Sequence, residues 1–468
     1  MGNTDRRPAS ETGETIAKAG GGRRKGAKRG DPVAGLLVAR SPVAGEDGAP
    51  DRVSLDAPCS VGRGSACGFK LADRQVSHEH FRVGREGGAH AIEDLGSTNG
   101  TSVNGDRLKP GEKRPLTSPS VIRAGDTVLV FLDNAEPLLG SRFLGDRRAF
   151  DMAGPFHDGA LLVRLKESAA SRRPPLLAGP SGVGKELAAA ALARFWGLRP
   201  PLRYNASASA SPEEMSRALF GVAAGAFTGV EKRDGLIVAA SRAGQPLFLD
   251  EVHHLPLEAQ ATLLTVIEDR KFARKGAEDK ELEVDVRFVF ASNEPDKLKP
   301  DLRARLWVVD VPPLRDRVAD VPALFDALLA RCLAAHGAKP DAVRPGLDSD
   351  LYHDLCLAAL GGRFDATNVR GLLDLADRIA ARVATGGDPA DAVDSVLAEL
   401  GLCSAVGADS DGAGGQYEAH RELIEAVYRG CGRNAKKTVD LFRESGVPWT
   451  ISRRHLNKYL ARWGFGEE

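Results

Sequence analysis

Cysteine is scarce and unpatterned: the six residues Cys59, Cys67, Cys332, Cys356, Cys403 and Cys431 form no C-x-x-C pair in a chain of 468. That excludes a disulfide-stapled miniprotein and gives no sign of a zinc or redox motif, so the thiols are read as reduced and mostly structural. Long apolar runs are missing too. No stretch approaches the ~18 apolar residues that a membrane helix needs, so no membrane partner is expected. The first 30 residues hold eight Lys or Arg against three Asp or Glu but lack the apolar run of a secretory signal, and the cytoplasm is the expected compartment. There is no excess of charge of either sign. With 64 basic and 64 acidic residues, nucleic-acid binding would have to come from a local patch and not from the field of the whole molecule. Aromatics make up only 6%, but 42% hydrophobic and 27% charged residues are ordinary globular material. At roughly 100 to 200 residues per domain, the length implies two to four domains.

What is present divides the chain. Residues 1–33, rich in Gly, Arg and Lys, cannot bury enough apolar surface to offset the entropy of ordering and read as a disordered basic tail. From 34 to 135, short Val/Leu/Ile/Phe runs such as residues 36–39, 81–83 and 127–132 are separated by Gly, Asn, Asp and Pro, which predicts a β-sandwich. Between 150 and 318, apolar strands such as 246–249 and 287–291 alternate with helical patterns such as 187–196, the pattern of an α/β core. The Leu/Ala period over 319–402 predicts a helical subdomain. A Gly/Ser/Ala/Asp-rich stretch at 403–416 reads as a linker, and 417–468 as a last helical unit. No internal repeat is evident.

Three clusters stand out in the expected sandwich: Gly62-Arg63, then Ser77-His78-Glu79-His80, then Gly96-Ser97-Thr98-Asn99-Gly100-Thr101. Singly, an exposed Arg is usually a solvated charge and Ser-Thr-Asn-Gly usually a turn. In this order they resemble the forkhead-associated (FHA) domain, a sandwich whose loops recognise phosphothreonine. The resemblance implies that Arg63 and Ser77 hold the phosphate, that Thr98 and Asn99 contact the phosphopeptide, and that His80 braces the Ser77 loop. The chemistry suits that assignment, because a guanidinium fork and a hydroxyl both donate to phosphate oxygens while an amide can pair with peptide backbone. His78 stands where the family often has Asn.

Gly179-Pro180-Ser181-Gly182-Val183-Gly184-Lys185-Glu186 lies between an apolar strand and a helix-forming run. Glycines there let backbone N–H groups converge on phosphate oxygens, and Lys185 adds a point charge at the β and γ phosphates. Farther on, Leu247-Phe248-Leu249 ends in Asp250 and Glu251, which places Asp250 for Mg2+ and Glu251 to polarise the attacking water. A strand ending in two acids could instead be a merely solvated strand end. Asn205 lies between these motifs, Asn293 follows the strand after them, and Gly225-Ala226-Phe227-Thr228-Gly229 forms an apolar tip between glycines. Together with Pro312-Pro313-Leu314-Arg315-Asp316-Arg317, this series is similar to that of bacterial enhancer-binding proteins, the AAA+ activators of sigma-54 RNA polymerase, over about residues 150 to 400.

The resemblance implies the following roles. Gly179, Gly182, Gly184, Lys185 and Glu186 bind nucleotide, Glu186 being the normal residue after the loop lysine in that family. Asp250 holds Mg2+, Asn205 couples nucleotide state to Glu251, and Asn293 is sensor I. Arg370, within Asn368-Val369-Arg370, is sensor II. Arg305 is an arginine finger reaching a neighbouring subunit's ATP, which implies a homo-oligomeric ring, usually a hexamer. Gly225, Ala226, Phe227, Thr228 and Gly229 touch the sigma factor. Lys299 occupies the place of a second finger arginine, and lysine lacks its planar fork. Asp365-Ala366-Thr367 replaces the usual Trp-Pro-Gly, and Val222-Ala223-Ala224 a charged set.

Residues 429–462 hold nine Lys or Arg against Asp440 and Glu444, a phosphate-binding footprint. Helical patterns over 417–428 and 452–460, with Gly430-Cys431-Gly432 as a turn and Asn434 as a helix cap, resemble the Fis-type helix-turn-helix of the same activators. Leu456 and Leu460 are expected to face its core, with Arg453, Arg454, Asn457 and Lys458 turned to DNA. A soluble basic helical end is the bland alternative. The expected protein is therefore multidomain: an all-β FHA sandwich, an α/β AAA+ P-loop ATPase with a helical subdomain, and a C-terminal α-helical helix-turn-helix. Its expected function is ATP-driven, sigma-54-dependent transcription activation from enhancer DNA. Control would come from Ser/Thr kinase signalling through a phosphothreonine-containing partner, a kinase or the chain itself, in place of a two-component receiver. The rivals are an AAA+ ATPase with a client other than sigma-54 and a non-hydrolysing phosphopeptide adaptor.

Overall fold

The computed structural model describes residues 33–42, 51–139, 152–222, 233–274, 277–339, 343, 347–402, 420–433, 435–444 and positions 456, 460, 463 and 465. Eleven strands build the N-terminal sandwich. They are β1 (Gly35–Arg40), β2 (Arg52–Ser54), β3 (Cys59–Gly62), β4 (Phe69–Lys70), β5 (Phe81–Glu86), β6 (Ala89–Asp94), β7 (Thr101–Val103), β8 (Asp106–Arg107), β9 (Lys113–Pro115), β10 (Ser120–Ala124) and β11 (Thr127–Leu132). One sheet runs β2-β1-β11-β10-β7-β8 and the other β4-β3-β5-β6-β9. Successive side chains of a strand point to opposite faces, so an unbroken apolar run signals burial on both sides. β11, Thr-Val-Leu-Val-Phe-Leu, is such a run. Its Leu129 and Phe131 enter the sandwich core with Leu36 and Ile122. Val128 and Val130, with Leu37 and Val121, instead pack on Phe325, Tyr352 and Leu355 of the helical subdomain. The outer face of the sandwich thus shares the hydrophobic core of the helical subdomain.

The α/β region carries β12 (Pro175–Ala178), β13 (Leu202–Asn205), β16 (Leu247–Asp250), β19 (Phe288–Ser292) and β20 (Trp307–Asp310), with small hairpins β14 (Gly221–Val222) with β15 (Arg233–Asp234) and β17 (Lys271–Arg274) with β18 (Ala277–Glu283). The five form one parallel sheet in the order β13-β16-β19-β12-β20. A parallel sheet must be covered on both faces, and alternate residues of each strand part accordingly. Leu176, Leu249 and Phe290 join Leu219, Ile237 and Leu263 on one side. Leu177, Phe248 and Val289 join Leu165, Ala188 and Leu192 on the other.

The helical subdomain contains the helices Val321–Ala335, Ser349–Leu360, Val369–Ala384 and Pro389–Glu399. Asp348 starts the second by accepting from the Leu351 N–H at 2.9 Å, and Asp388 caps the last. Near the C-terminus, helices Arg421–Gly430 and Ala435–Glu444 close over Ile424, Phe442, Leu456, Leu460 and Trp463. No helix among the described residues is long and apolar enough to cross a membrane.

Candidate nucleotide site and phosphopeptide loops

All five parallel strands end at one edge of the sheet, which gathers the chemistry into one place. β12 runs into the loop 179–184, where three glycines take positive φ: Gly179 (156°), Gly182 (77°) and Gly184 (106°). A Cβ on Gly179 would meet Val311 O at 2.2 Å, and one on Gly182 would meet Thr367 O at 2.2 Å, so neighbouring backbone admits only glycine there. Gly184 caps the helix Lys185–Phe195, which therefore begins two residues before the apolar pattern does. Lys185 is buried, and its ammonium donates to the carbonyls of Gly179 (2.8 Å) and Pro180 (3.0 Å). Burial lowers its pKa, with Glu251 and Asp250 acting against that. Burial, and then the Glu251 carboxylate, raises that of Asp250, whose Oδ1 accepts from the Glu251 N–H at 3.0 Å. An ammonium clasped by carbonyls beside two crowded carboxylates suits a triphosphate with a divalent cation, since Mg2+ is commonly held by one or two carboxylates together with phosphate oxygens.

Other groups close the loop. Arg370 donates to Ser181 Oγ at 3.1 Å. Asn368, buried and at φ 51°, donates to Ser181 O (3.0 Å) while its Oδ1 accepts from the Leu314 N–H (2.9 Å). Arg317 donates to Val183 O at 2.7 Å and to Nε2 of buried His157 at 2.8 Å. The helical subdomain therefore grips the loop directly. Asn293 is exposed beside Gly179, Pro180 and Ser181 in a cavity of about 570 Å3. Glu186 pairs with Arg203 (2.6 Å) at the surface, and Arg305 with Glu268 (2.6 Å). Asn205 lies next to Asp250 in the sheet register, but its side chain accepts from Ser207 N–H (2.9 Å) and Oγ–H (2.8 Å) and caps its own turn. Sequence reasoning assigned nothing to Asn368, His157 or His253. Asn368 reads as an ordinary helix cap, and the histidines carry no motif.

In the sandwich, Arg63 is exposed and its Nε donates to Val76 O at 3.2 Å, leaving the rest of the guanidinium toward solvent. Ser77 Oγ accepts from the Thr98 N–H at 3.0 Å. His80 is buried: its Nδ1 accepts from the Ser77 N–H (3.0 Å) and its Nε2 faces Gly100 O (3.1 Å), which fixes the Nε2–H tautomer. Burial lowers its pKa, so the neutral ring joins the two loops. Asn99 donates to the main-chain and side-chain oxygens of Gln75 at 2.8 and 2.9 Å. A hydrogen-bonded chain leads on from there. The Gln75 N–H donates to Asp73 Oδ1 (2.8 Å), Asp73 Oδ2 accepts from Asp126 N–H (2.8 Å) and Thr127 (2.9 Å), and Asp126 Oδ1 accepts from Ser349 (2.8 Å) in the helical subdomain. Gly225, Ala226, Phe227, Thr228 and Gly229, and likewise Arg453, Arg454, Asn457 and Lys458, lie outside the described residues.

Residues 159–310 match the Sigma-54 interaction domain, and residues 59–125 match the FHA domain. The chain carries a sigma-54 interaction domain and an FHA domain. The acetoin dehydrogenase operon transcriptional activator AcoR of Bacillus subtilis (strain 168) is 30% identical over 312 residues, 64% of this chain and 49% of that protein. The nitric oxide reductase transcription regulator NorR2 of Cupriavidus necator is 33% identical over 326 residues, 63% of this chain and 58% of that one. The chain thus spans about half the length of these curated relatives. A crystal structure of NtrX from Brucella abortus in complex with ADP is similar at 24% identity and a TM-score of 0.44, over 67% of this chain and 69% of that one. The sigma-54 interaction domain contains Lys185, Asp250, Glu251, Asn293 and Arg305, whereas Arg370 and Asn368 reach it from beyond residue 310.

Proposed function

We propose that this protein is an ATP-hydrolysing activator of sigma-54 RNA polymerase whose FHA domain senses phosphothreonine. The observation that carries the reading is the convergence of Lys185, Asp250, Glu251 and Asn293 on one edge of the parallel sheet, with Arg370 brought to Ser181 from the helical subdomain. Lys185 leaves its carbonyls for the phosphates, Asp250 holds Mg2+, and Glu251 takes a proton from the attacking water. A divalent cation held by Asp250 would supply neutralisation of phosphate charge and polarisation of the γ-phosphoryl group. Arg305 exchanges its exposed Glu268 for the ATP of a neighbouring subunit in a ring. Thr228 and Phe227 touch sigma-54, and the basic segment 429–462, including Arg453, Arg454, Asn457 and Lys458, anchors the protein to enhancer DNA.

Phosphothreonine on a partner protein, a Ser/Thr kinase or the chain itself would be held by Arg63 and Ser77, with Asn99 on its backbone. Its effect reaches the ATPase through the docked face of the sandwich, along Gln75, Asp73, Asp126 and Ser349. Purified protein, assayed for ATP turnover and for open complexes at a sigma-54 promoter, tests the reading. Turnover with open complexes is expected, both changing with a phosphothreonine peptide library. Turnover without open complexes would point to another client, and no turnover to a phosphopeptide adaptor.

A further inference from the structure

His253 lies in the turn Val252–His254, directly after Glu251. Its side chain is 2% exposed. Nδ1 lies 3.0 Å from Ser292 Oγ and 3.5 Å from Glu251 Oε2, while Nε2 lies 3.5 Å from Glu294 Oε1. Ser292 Oγ also accepts the Glu294 N–H at 3.0 Å, and Ser292 is the residue before Asn293. Glu251 Oε2 and His253 Nε2 are buried without a hydrogen-bond partner. A buried, unsatisfied carboxylate oxygen costs free energy until something donates to it, and Nδ1, at 3.5 Å, is close to it without yet making a hydrogen bond. Asn205, the residue expected to couple nucleotide state to Glu251, turns its Oδ1 to Ser207.

We infer that His253 is the positioning residue of Glu251, linking its carboxylate to Ser292 and hence to the end of the strand that presents Asn293. Burial and then the neighbouring His254 lower the ring's pKa against Glu251 and Glu294, and in the neutral ring a single nitrogen carries the proton. With the proton on Nδ1 the ring donates toward Ser292 and Glu251. With the proton on Nε2 it turns that donor to Glu294, and Nδ1 accepts from the Ser292 hydroxyl. The two tautomers hold or release Glu251, and a shift of Ser292 when Asn293 meets a γ-phosphate selects between them. Glu251 itself sits at φ 50°, a backbone state that a non-glycine residue keeps only when its surroundings hold it there.

This inference rests on the ATP-hydrolysis reading above, and the test separates the two. Turnover and binding of a fluorescent non-hydrolysable ATP analogue are measured on the full chain for wild type, His253→Ala, His253→Asn, Ser292→Ala and Asn205→Ala. Asparagine keeps a donor where Nδ1 stands. His253→Ala is expected to lower kcat about tenfold or more with analogue affinity unchanged, because a small misplacement of a catalytic group is that costly. His253→Asn should recover most of the loss, Ser292→Ala should lower kcat as well, and Asn205→Ala should have the smaller effect. A wild type that binds but does not hydrolyse ATP overturns the ATPase reading itself. A hydrolysing wild type beside a His253→Ala variant of unchanged kcat overturns only the role of His253, as would equal losses in His253→Ala and His253→Asn with binding intact. Should His253→Ala fail to fold, unchanged kcat in Ser292→Ala or in His253→Asn with Ser292→Ala overturns it instead.

Discussion

Arg123, on β10 of the FHA sandwich, lies 2.5 Å from the carboxylate of Asp350 on the helix Ser349–Leu360. The same guanidinium lies 3.4 Å from Ser349 Oγ, and Arg40 pairs with Asp326 (2.8 Å) while stacking 4.2 Å above the ring of Tyr352. These ionic contacts rim the apolar contact of Val128 and Val130 with Phe325 and Tyr352. Asp350 is buried, so removing the Arg123 guanidinium takes away one of the contacts that compensate a desolvated charge. Arg123→Ala should therefore destabilise the protein by about 2 kcal/mol or more, whereas the double change Arg123→Met with Asp350→Leu should cost less than the sum of its parts. Urea unfolding of wild type, Arg123→Met, Asp350→Leu and the double variant, with Arg123→Ala beside them, measures it, and additive costs would show that the pair contributes nothing.

The same interface makes a functional expectation. Ser349→Ala breaks the hydrogen-bonded chain at its last step, at a half-buried residue that belongs to neither the phosphate loop nor the clusters at Arg63, Ser77 and Thr98-Asn99. Phosphopeptide affinity should stay as in wild type while the peptide's effect on ATP turnover shrinks. Arg63→Ala should do the opposite at the first step, abolishing peptide binding with the melting temperature intact, because its side chain is exposed and makes one hydrogen bond to Val76 O. Calorimetric titration paired with a turnover assay distinguishes the two.

Shared active sites are testable by mixing. Glu251→Ala removes the proposed base, and Arg305→Ala removes an exposed arginine that pairs with Glu268 among the described residues. Each variant alone should turn over ATP at least about a hundredfold more slowly, since an arginine finger contributes on the order of a thousandfold or more in other phosphoryl-transfer enzymes. A mixture should regain part of the activity at interfaces that combine an intact Glu251 with an intact Arg305. Absence of any rescue would exclude a finger acting between subunits.

His157 gives the stability a pH dependence of definite sign. Its pKa falls from 6.5 to about 3 through burial and then the Arg317 guanidinium, against the Ala153 carbonyl that accepts its Nδ1–H. The folded state thus binds the proton less readily than the unfolded chain. Its contribution is complete above pH 6.5 and is lost as pH falls toward 3, with a slope of up to about 1.4 kcal/mol per pH unit. His157→Gln should flatten unfolding free energy against pH within that window, and an unchanged slope would place the titrating group elsewhere.

The proposed sigma-54 contact of Gly225 to Gly229 is testable at Phe227 and Thr228. Phe227→Ala and Thr228→Ala should lose open-complex formation while ATP turnover persists. If Phe227 were instead a core anchor, its truncation would cost about 3 kcal/mol or more of stability and damage turnover as well.

Local patterning determined much of this protein by itself. The glycines of 179–184, the apolar strand closed by Asp250 and Glu251, and the ordered clusters at Arg63, Ser77 and Thr98-Asn99 were legible because each depends on backbone conformation or strand periodicity within a few residues. An α/β core and a β-sandwich followed from the same periods. Other relationships depend on residues far apart in the chain. Nothing near Asn368 announces Ser181, nearly two hundred positions earlier, and nothing near His253 announces Ser292, because those contacts exist only once the strands lie side by side. The run Thr127–Leu132 reads as one strand of the sandwich, yet only the tertiary structure shows that its second face is covered too, by Phe325 and Tyr352. Burial on two sides is written in a strand's composition, but the identity of what covers it depends on which distant surface is complementary in shape and charge. Here that surface is the helical subdomain that also grips the nucleotide loop.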